Sequence, residues 1–185
     1  MSSHQDYVKA GALLSFFALM VIPLSACGPS QLTPAEAWDS TVCGSISAWS
    51  GAVGEGERMT AGGPSSPGFP AAARAGAAKI IAGTKELSAA MTTEGKPPVA
   101  GAIFAWEDAM SGMDSLLASG ARVEQEASSV GQTGKAGLAA SPEGMVKGIA
   151  TENAAAQALD EKLRAMVVAV VPSAFSSVDS CAGLD

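Results

Sequence analysis

Few side chains in this chain are able to do chemistry. His4 is the sole histidine and Tyr7 the sole tyrosine, both within the first ten residues. Beyond them, no Ser-His-Asp or Cys-His arrangement can be assembled, and the usual zinc ligand sets are missing. The commonest general acid–base group is also lost. Carboxylates and a Ser-Lys pair remain as the only catalytic options. Glu107, Asp108 and Asp114, and then Glu124 and Glu126, are the acidic groupings. Neighbours one or two apart on a helix do not converge on a point, so these read as a solvated acidic face. A di-metal carboxylate bundle needs Glu-x-x-His, which does not occur. The run Gly131-Gln132-Thr133-Gly134-Lys135-Ala136 departs from a phosphate loop, with Ala136 where the Mg²⁺-binding hydroxyl belongs. No catalytic residue, metal or cofactor is therefore assigned, and the chain reads as non-enzymatic.

The remaining reactive groups are three cysteines, Cys27, Cys43 and Cys181. Ala10 to Leu24 is almost wholly apolar and follows Lys9. That is the h-region of a signal peptide, short for a bilayer span of about 20 residues. It ends in Leu24-Ser25-Ala26-Cys27. An apolar residue, two small residues and a cysteine at this place resemble the lipobox of bacterial lipoproteins. The resemblance covers the leader alone. It implies diacylglycerol on the Cys27 sulfur, cleavage before Cys27, and attachment to the outer side of a cell membrane. Two or three acyl chains hold far better than one, since each buried CH₂ adds about 0.8 kcal/mol.

On this reading residues 1–26 are a signal peptide, 27–32 a lipidated tether, and 33–185 one domain. Cleavage removes His4 and Tyr7. It also removes Lys9 and Asp6, so the net charge stays at −7. An acidic surface argues against nucleic acid as a partner. With Cys27 lipidated, Cys43 and Cys181 are left as an even pair outside the cytoplasm, most simply one disulfide. It would close nearly the whole domain, worth at most about 5 kcal/mol in the chain-entropy model.

The elements that must position these groups are helices. Strand alternation is rare, and alanine-rich segments with helical spacing recur between Gly/Pro/Ser stretches. A first helix is expected from Thr33-Pro34-Ala35-Glu36, a capping-box start, to about Gly54-Glu55-Gly56. Its apolar face is Ala35, Trp38, Val42, Ile46, Trp49 and Val53. A Gly/Pro loop covers 61–70. A second helix follows over about 71–91, stopped by Gly95 and Pro97-Pro98. The third carries Val99, Ile103, Trp106, Met110, Met113, Leu117 and Gly120. The fourth starts at Ser141-Pro142-Glu143 and carries Met145, Ile149, Asn153, Ala156, Leu159, Leu163, Met166 and Val170. The expected fold is all-α: an antiparallel four-helix bundle, loop-rich, with one disulfide.

Two readings of the large apolar residues stay open. Trp38, Trp49 and Trp106, with Met110 and Met113, are candidate lining for an apolar pocket between the helices. The commoner role for such residues is as the large core fillers of a domain otherwise rich in alanine and glycine. The functional expectation is an envelope lipoprotein with a helical interaction or structural domain, a membrane partner through the Cys27 lipid, and a protein partner in the envelope. The alternative is a carrier for an apolar ligand held between the helices.

Overall fold

The capping box forms at the start of the first helix. In this computed structural model, which describes residues 32–130 and 142–170, α1 spans Pro34–Thr60. The Thr33 backbone N–H donates to the Glu36 carboxylate at 2.7 Å, and the Glu36 N–H donates to Thr33 Oγ1 at 3.3 Å. Two helix-end donors are thereby satisfied. Thr33→Ala is expected to cost about 1 kcal/mol, read as a lowered urea midpoint with an unchanged slope.

Further on, α2 spans Phe69–Glu94 and ends on Gly95 at φ 75°. That left-handed conformation suits glycine, and the Gly95 N–H closes on the Met91 carbonyl. A single 3₁₀ turn at Ala100–Ala102 leads into α3, Ile103–Ser129. The last helix, α4, spans Pro142–Val170. The described residues contain no strand, and none of their helices is long and apolar enough to cross a membrane.

The four helices pack as an antiparallel all-α bundle. Gly56 of α1 lies against Gly76 of α2, whereas the earlier Ala52 lies against the later Gly83. Likewise Gly112 of α3 meets Leu159 of α4, and Gly120 meets Glu152. Gly120 also meets Ile81, which pairs α2 with α3. Contacts are dense for α1–α2, α2–α3 and α3–α4 and sparse for α1–α4. One apolar cluster joins all four helices, with Ile46, Leu87, Met113, Leu116 and Leu163 sealed within it. A smaller cluster around Phe69, Ala73, Val123 and Met145 fills the end where α2 and α4 begin.

Three boundaries or faces differ from expectation. The first helix runs past Gly54-Glu55-Gly56 to Thr60. Gly56 is not a stop; it is the point at which α2 comes too close for any side chain. In α3 the buried line is Ala109, Gly112, Met113, Leu116, Gly120, Val123 and Ala127. Ile103, Trp106, Met110 and Leu117 stand at its half-buried border. Gly112 and Gly120 stand at the closest helix approaches within this line. In α4 the buried position is Glu152, with Asn153 half-buried beside it.

The leader, Cys27, the 131–136 run and Cys181 lie outside the described residues. Cys43 is fully buried on the inner face of α1.

Candidate functional site

The sparse α1–α4 seam leaves an open groove of about 420 Å³. Trp49 and Val53 form part of its floor, and Glu57, Asp160, Glu161 and Arg164 are among its polar lining. The Arg164 guanidinium is tied to Asp160 at 2.8 Å, one helical turn away. The polar lining therefore keeps two carboxylates, Glu57 and Glu161, beyond that internal pair. The groove is amphipathic: an aromatic floor with an acidic edge.

All five candidate pocket residues belong to or abut the main apolar cluster. Trp38, Trp49 and Met113 are buried in it, while Trp106 and Met110 pack against it half-buried. The polar ends of two tryptophans have internal partners. Trp38 Nε1 donates to the Gly95 carbonyl at 3.1 Å, tying the start of α1 to the end of α2. Trp49 Nε1 donates to Thr84 Oγ1 at 3.1 Å, and Thr84 Oγ1 in turn donates to the Ile80 carbonyl. A buried indole needs such a partner. Trp106 differs. Its Nε1 is buried without a hydrogen-bond partner, and its ring lies 5.7 Å from the Lys96 ammonium. Lys96 also bridges to Glu107 at 2.8 Å.

The polar groups placed deepest in the bundle were not among the sequence candidates. Glu152 is 2% exposed, and its Oε1 has no hydrogen-bond partner. It occupies a niche opened by Gly120: a Cβ there would stand 2.9 Å from Oε1 and 2.8 Å from Ile81 Cγ1. Burial pushes the Glu152 carboxyl up to about 7, and the Glu124 charge adds to the rise. Asp39, on α1, is fully buried with both carboxylate oxygens unpartnered. Burial pushes it up to about 6. Glu126 Oε2 is also buried and unpartnered, in a niche over Gly148. Glu124 and Glu126 are half-buried at the α3 border, not the fully solvated face that their spacing suggested.

Carboxyl groups held near neutrality are suited to proton transfer when they reach a substrate. Glu152 is sealed beneath Ile81 and does not. Among the described residues, no three His, Cys, Asp or Glu side chains are grouped to hold a metal. What the buried acids can do is couple packing to protonation.

No protein-family model, curated protein or solved structure matches this chain.

Glu152 had one sequence signal. From Ile149 the helical step reaches both 152 and 153 before Ala156, and the uncharged residue was the easier choice. Asp39 had none, because it lies in a polar stretch between Trp38 and Val42.

Proposed function

We propose that this chain is a lipid-anchored protein of the bacterial cell envelope, and that its bundle is a non-enzymatic module for contact with another envelope protein. The observation that carries the reading is Leu24-Ser25-Ala26-Cys27 at the end of the apolar 10–24 run. Diacylglycerol on Cys27 holds the domain on the extracytoplasmic side. A Cys43–Cys181 disulfide belongs to the same proposal. The full burial of Cys43 on the inner face of α1 suits a structural bridge rather than a reactive thiol.

The α1–α4 groove supports a contact role. It is open, it lies between two long helices, and it joins an aromatic floor to uncompensated carboxylates. A partner helix with apolar and basic residues on one side matches that lining. The internal hydrogen bonds of Trp38 and Trp49 favour this reading over a ligand carrier, since both indoles are already committed to the bundle.

Expression in a bacterial host tests the anchor directly. The wild-type protein is expected in the membrane fraction, with an N-terminal cysteine carrying acyl mass. Cys27→Ser is expected to shift nearly all of it to the soluble fraction. An unacylated wild-type protein in the soluble fraction defeats the proposal. Native mass spectrometry of the released Cys27→Ser domain reads the remaining points. A mass two hydrogens below the reduced chain supports the bridge. A small molecule shed on activation would favour the carrier instead.

A further inference from the structure

The exposed apolar side chains are unevenly placed along the bundle. Phe104 is 79% exposed and Leu32 60%, the two highest values among the exposed large apolar residues. Val168 is 44% exposed. All three belong to one end. Leu32 precedes the α1 cap, Phe104 is in the first turn of α3, and Val168 is in the last turn of α4. The Trp38–Gly95 hydrogen bond and the packing of the 3₁₀ turn on α4 bring those termini together. Met59 and Val146 are at the opposite end, each 39% exposed. A helix of this length spans about 40 Å, so the two ends are well separated.

The chain itself decides which end is near a membrane. Five residue steps separate Cys27 from Leu32. Fully extended they reach about 17 Å. An acylated Cys27 therefore keeps the Leu32 end within that distance of the bilayer, while the other end can stand more than twice as far away. We propose that the end of the bundle bearing Leu32, Phe104 and Val168 lies on the lipid surface that holds the anchor, with Phe104 inserted at the interface. The inference rests on the lipoprotein reading and extends it from a tether to a fixed orientation.

The chemistry of this end fits the interfacial layer. Trp106, half-buried two residues after Phe104, is of the type that settles at headgroup level. Lys96 spans its ring and Glu107, which covers the lysine charge internally. Glu36, Glu94, Glu107 and Asp108 leave this end acidic. Attraction to anionic lipid is therefore not the source of binding; apolar insertion is. The orientation also directs the long α1–α4 groove away from the bilayer plane, accessible along its length to a partner in the envelope.

The test uses the full, acylated protein in vesicles of phosphatidylethanolamine and phosphatidylglycerol. A nitroxide is placed at Ala100→Cys, an exposed site in the turn before Phe104. A second is placed at Ala61→Cys, exposed at the far end. Power-saturation measurements compare collisions with oxygen and with a water-soluble nickel chelate. The expected result is a several-fold higher oxygen-to-nickel ratio at residue 100 than at residue 61. Adding Phe104→Ser should bring the two ratios together while the protein still sediments with vesicles. Circular dichroism confirms that this exposed substitution leaves the helices intact. Equal aqueous ratios at both sites in vesicle-bound protein overturn the docking and leave the anchor standing. Failure of the acylated fraction to sediment at all overturns the anchor instead. Protection at residue 100 that depends on protein density and persists in detergent micelles assigns the patch to a second copy, and also overturns the proposal.

Discussion

Raising the pH from about 5 to about 8 is expected to destabilise the bundle, and Glu152→Gln is expected to remove most of that loss. The folded-state carboxyl of Glu152 is pushed up to about 7, against an ordinary value of 4.5. Between those two values the folded chain holds a proton that the unfolded chain releases. Stability must then fall as pH rises through the window, and level off above it. Each pKa unit corresponds to about 1.4 kcal/mol. Allowing for residual solvation of the ionised group, the loss is about 2 kcal/mol. The groups facing Glu152 offer no relief. Glu124 approaches from α3 with the same charge, and Ile81 closes the α2 side. Arg74 and Lys85 share the Ile81 face of α2 by helical spacing, but both are exposed. Asp39 acts in the same direction over a lower window, from 3.8 to about 6. Below the ordinary carboxylate range the sign reverses. Glu55, held down by its hydrogen bond and ion pair with Lys79, loses its contribution as it protonates. The stability maximum is thus expected on the acid side of neutrality. Urea midpoints for the wild type, Glu152→Gln and Asp39→Asn across this range check the assignment. A wild-type midpoint that stays constant from about 5 to about 8 would show that Glu152 is not buried as a carboxylic acid.

These acids also mark where sequence reasoning stopped. The helices were legible because their starts and stops are local. Thr33 and Glu36 cap α1, Gly95 and the following prolines end α2, and Pro142 opens α4. The inward faces were legible only where size and burial agree, as at Val42, Ile46, Leu159 and Leu163. They fail together at the crossings. In α3 the central contact positions include Ala109 and Gly112, and a pattern weighted by side-chain bulk assigns their places to Trp106 and Met110; of the expected stripe, Met113 and Gly120 fall on the buried line. The same vacancy explains Glu152. A carboxylate side chain fits at a buried position because Gly120 across the interface has no Cβ. The cause lies 32 residues away in the chain, and no local periodicity contains it. The candidate groove was half legible. Trp49 was singled out, but its neighbours Asp160 and Arg164 stand one turn apart on α4 and look in sequence like any surface ion pair, since nothing in either helix alone shows that α1 and α4 stand apart.

The α1–α2 crossing gives the second large effect, and it separates two roles of helical glycine. Gly76→Ala is expected to destabilise the domain by about 1–3 kcal/mol, although alanine is the better helix former. A Cβ at Gly76 would stand 2.7 Å from the Gly56 carbonyl oxygen and 3.4 Å from Thr60 Cγ2. The first obstacle is backbone, so no rotamer change relieves it; the helices must separate. Separation loosens the apolar packing on both sides of the crossing, including Ile80, whose Cγ1 would be 2.7 Å from a Cβ on Gly56. The Lys79–Glu55 ion pair beside the crossing is exposed and adds little to resist this. Gly44→Ala is the counterpart. Nothing lies within 4 Å of its Cβ position on the same helix as Gly56. There the propensity gain stands alone, and stability should rise by about 1 kcal/mol. Opposite shifts in urea midpoint for the two variants are the expected outcome. A rise for both would mean that α1 and α2 do not meet at Gly56 and Gly76. Combining Gly56→Ala with Gly76→Ala sharpens the point. One displacement of the helices accommodates both methyl groups, so the double variant should lose clearly less than the sum of the singles.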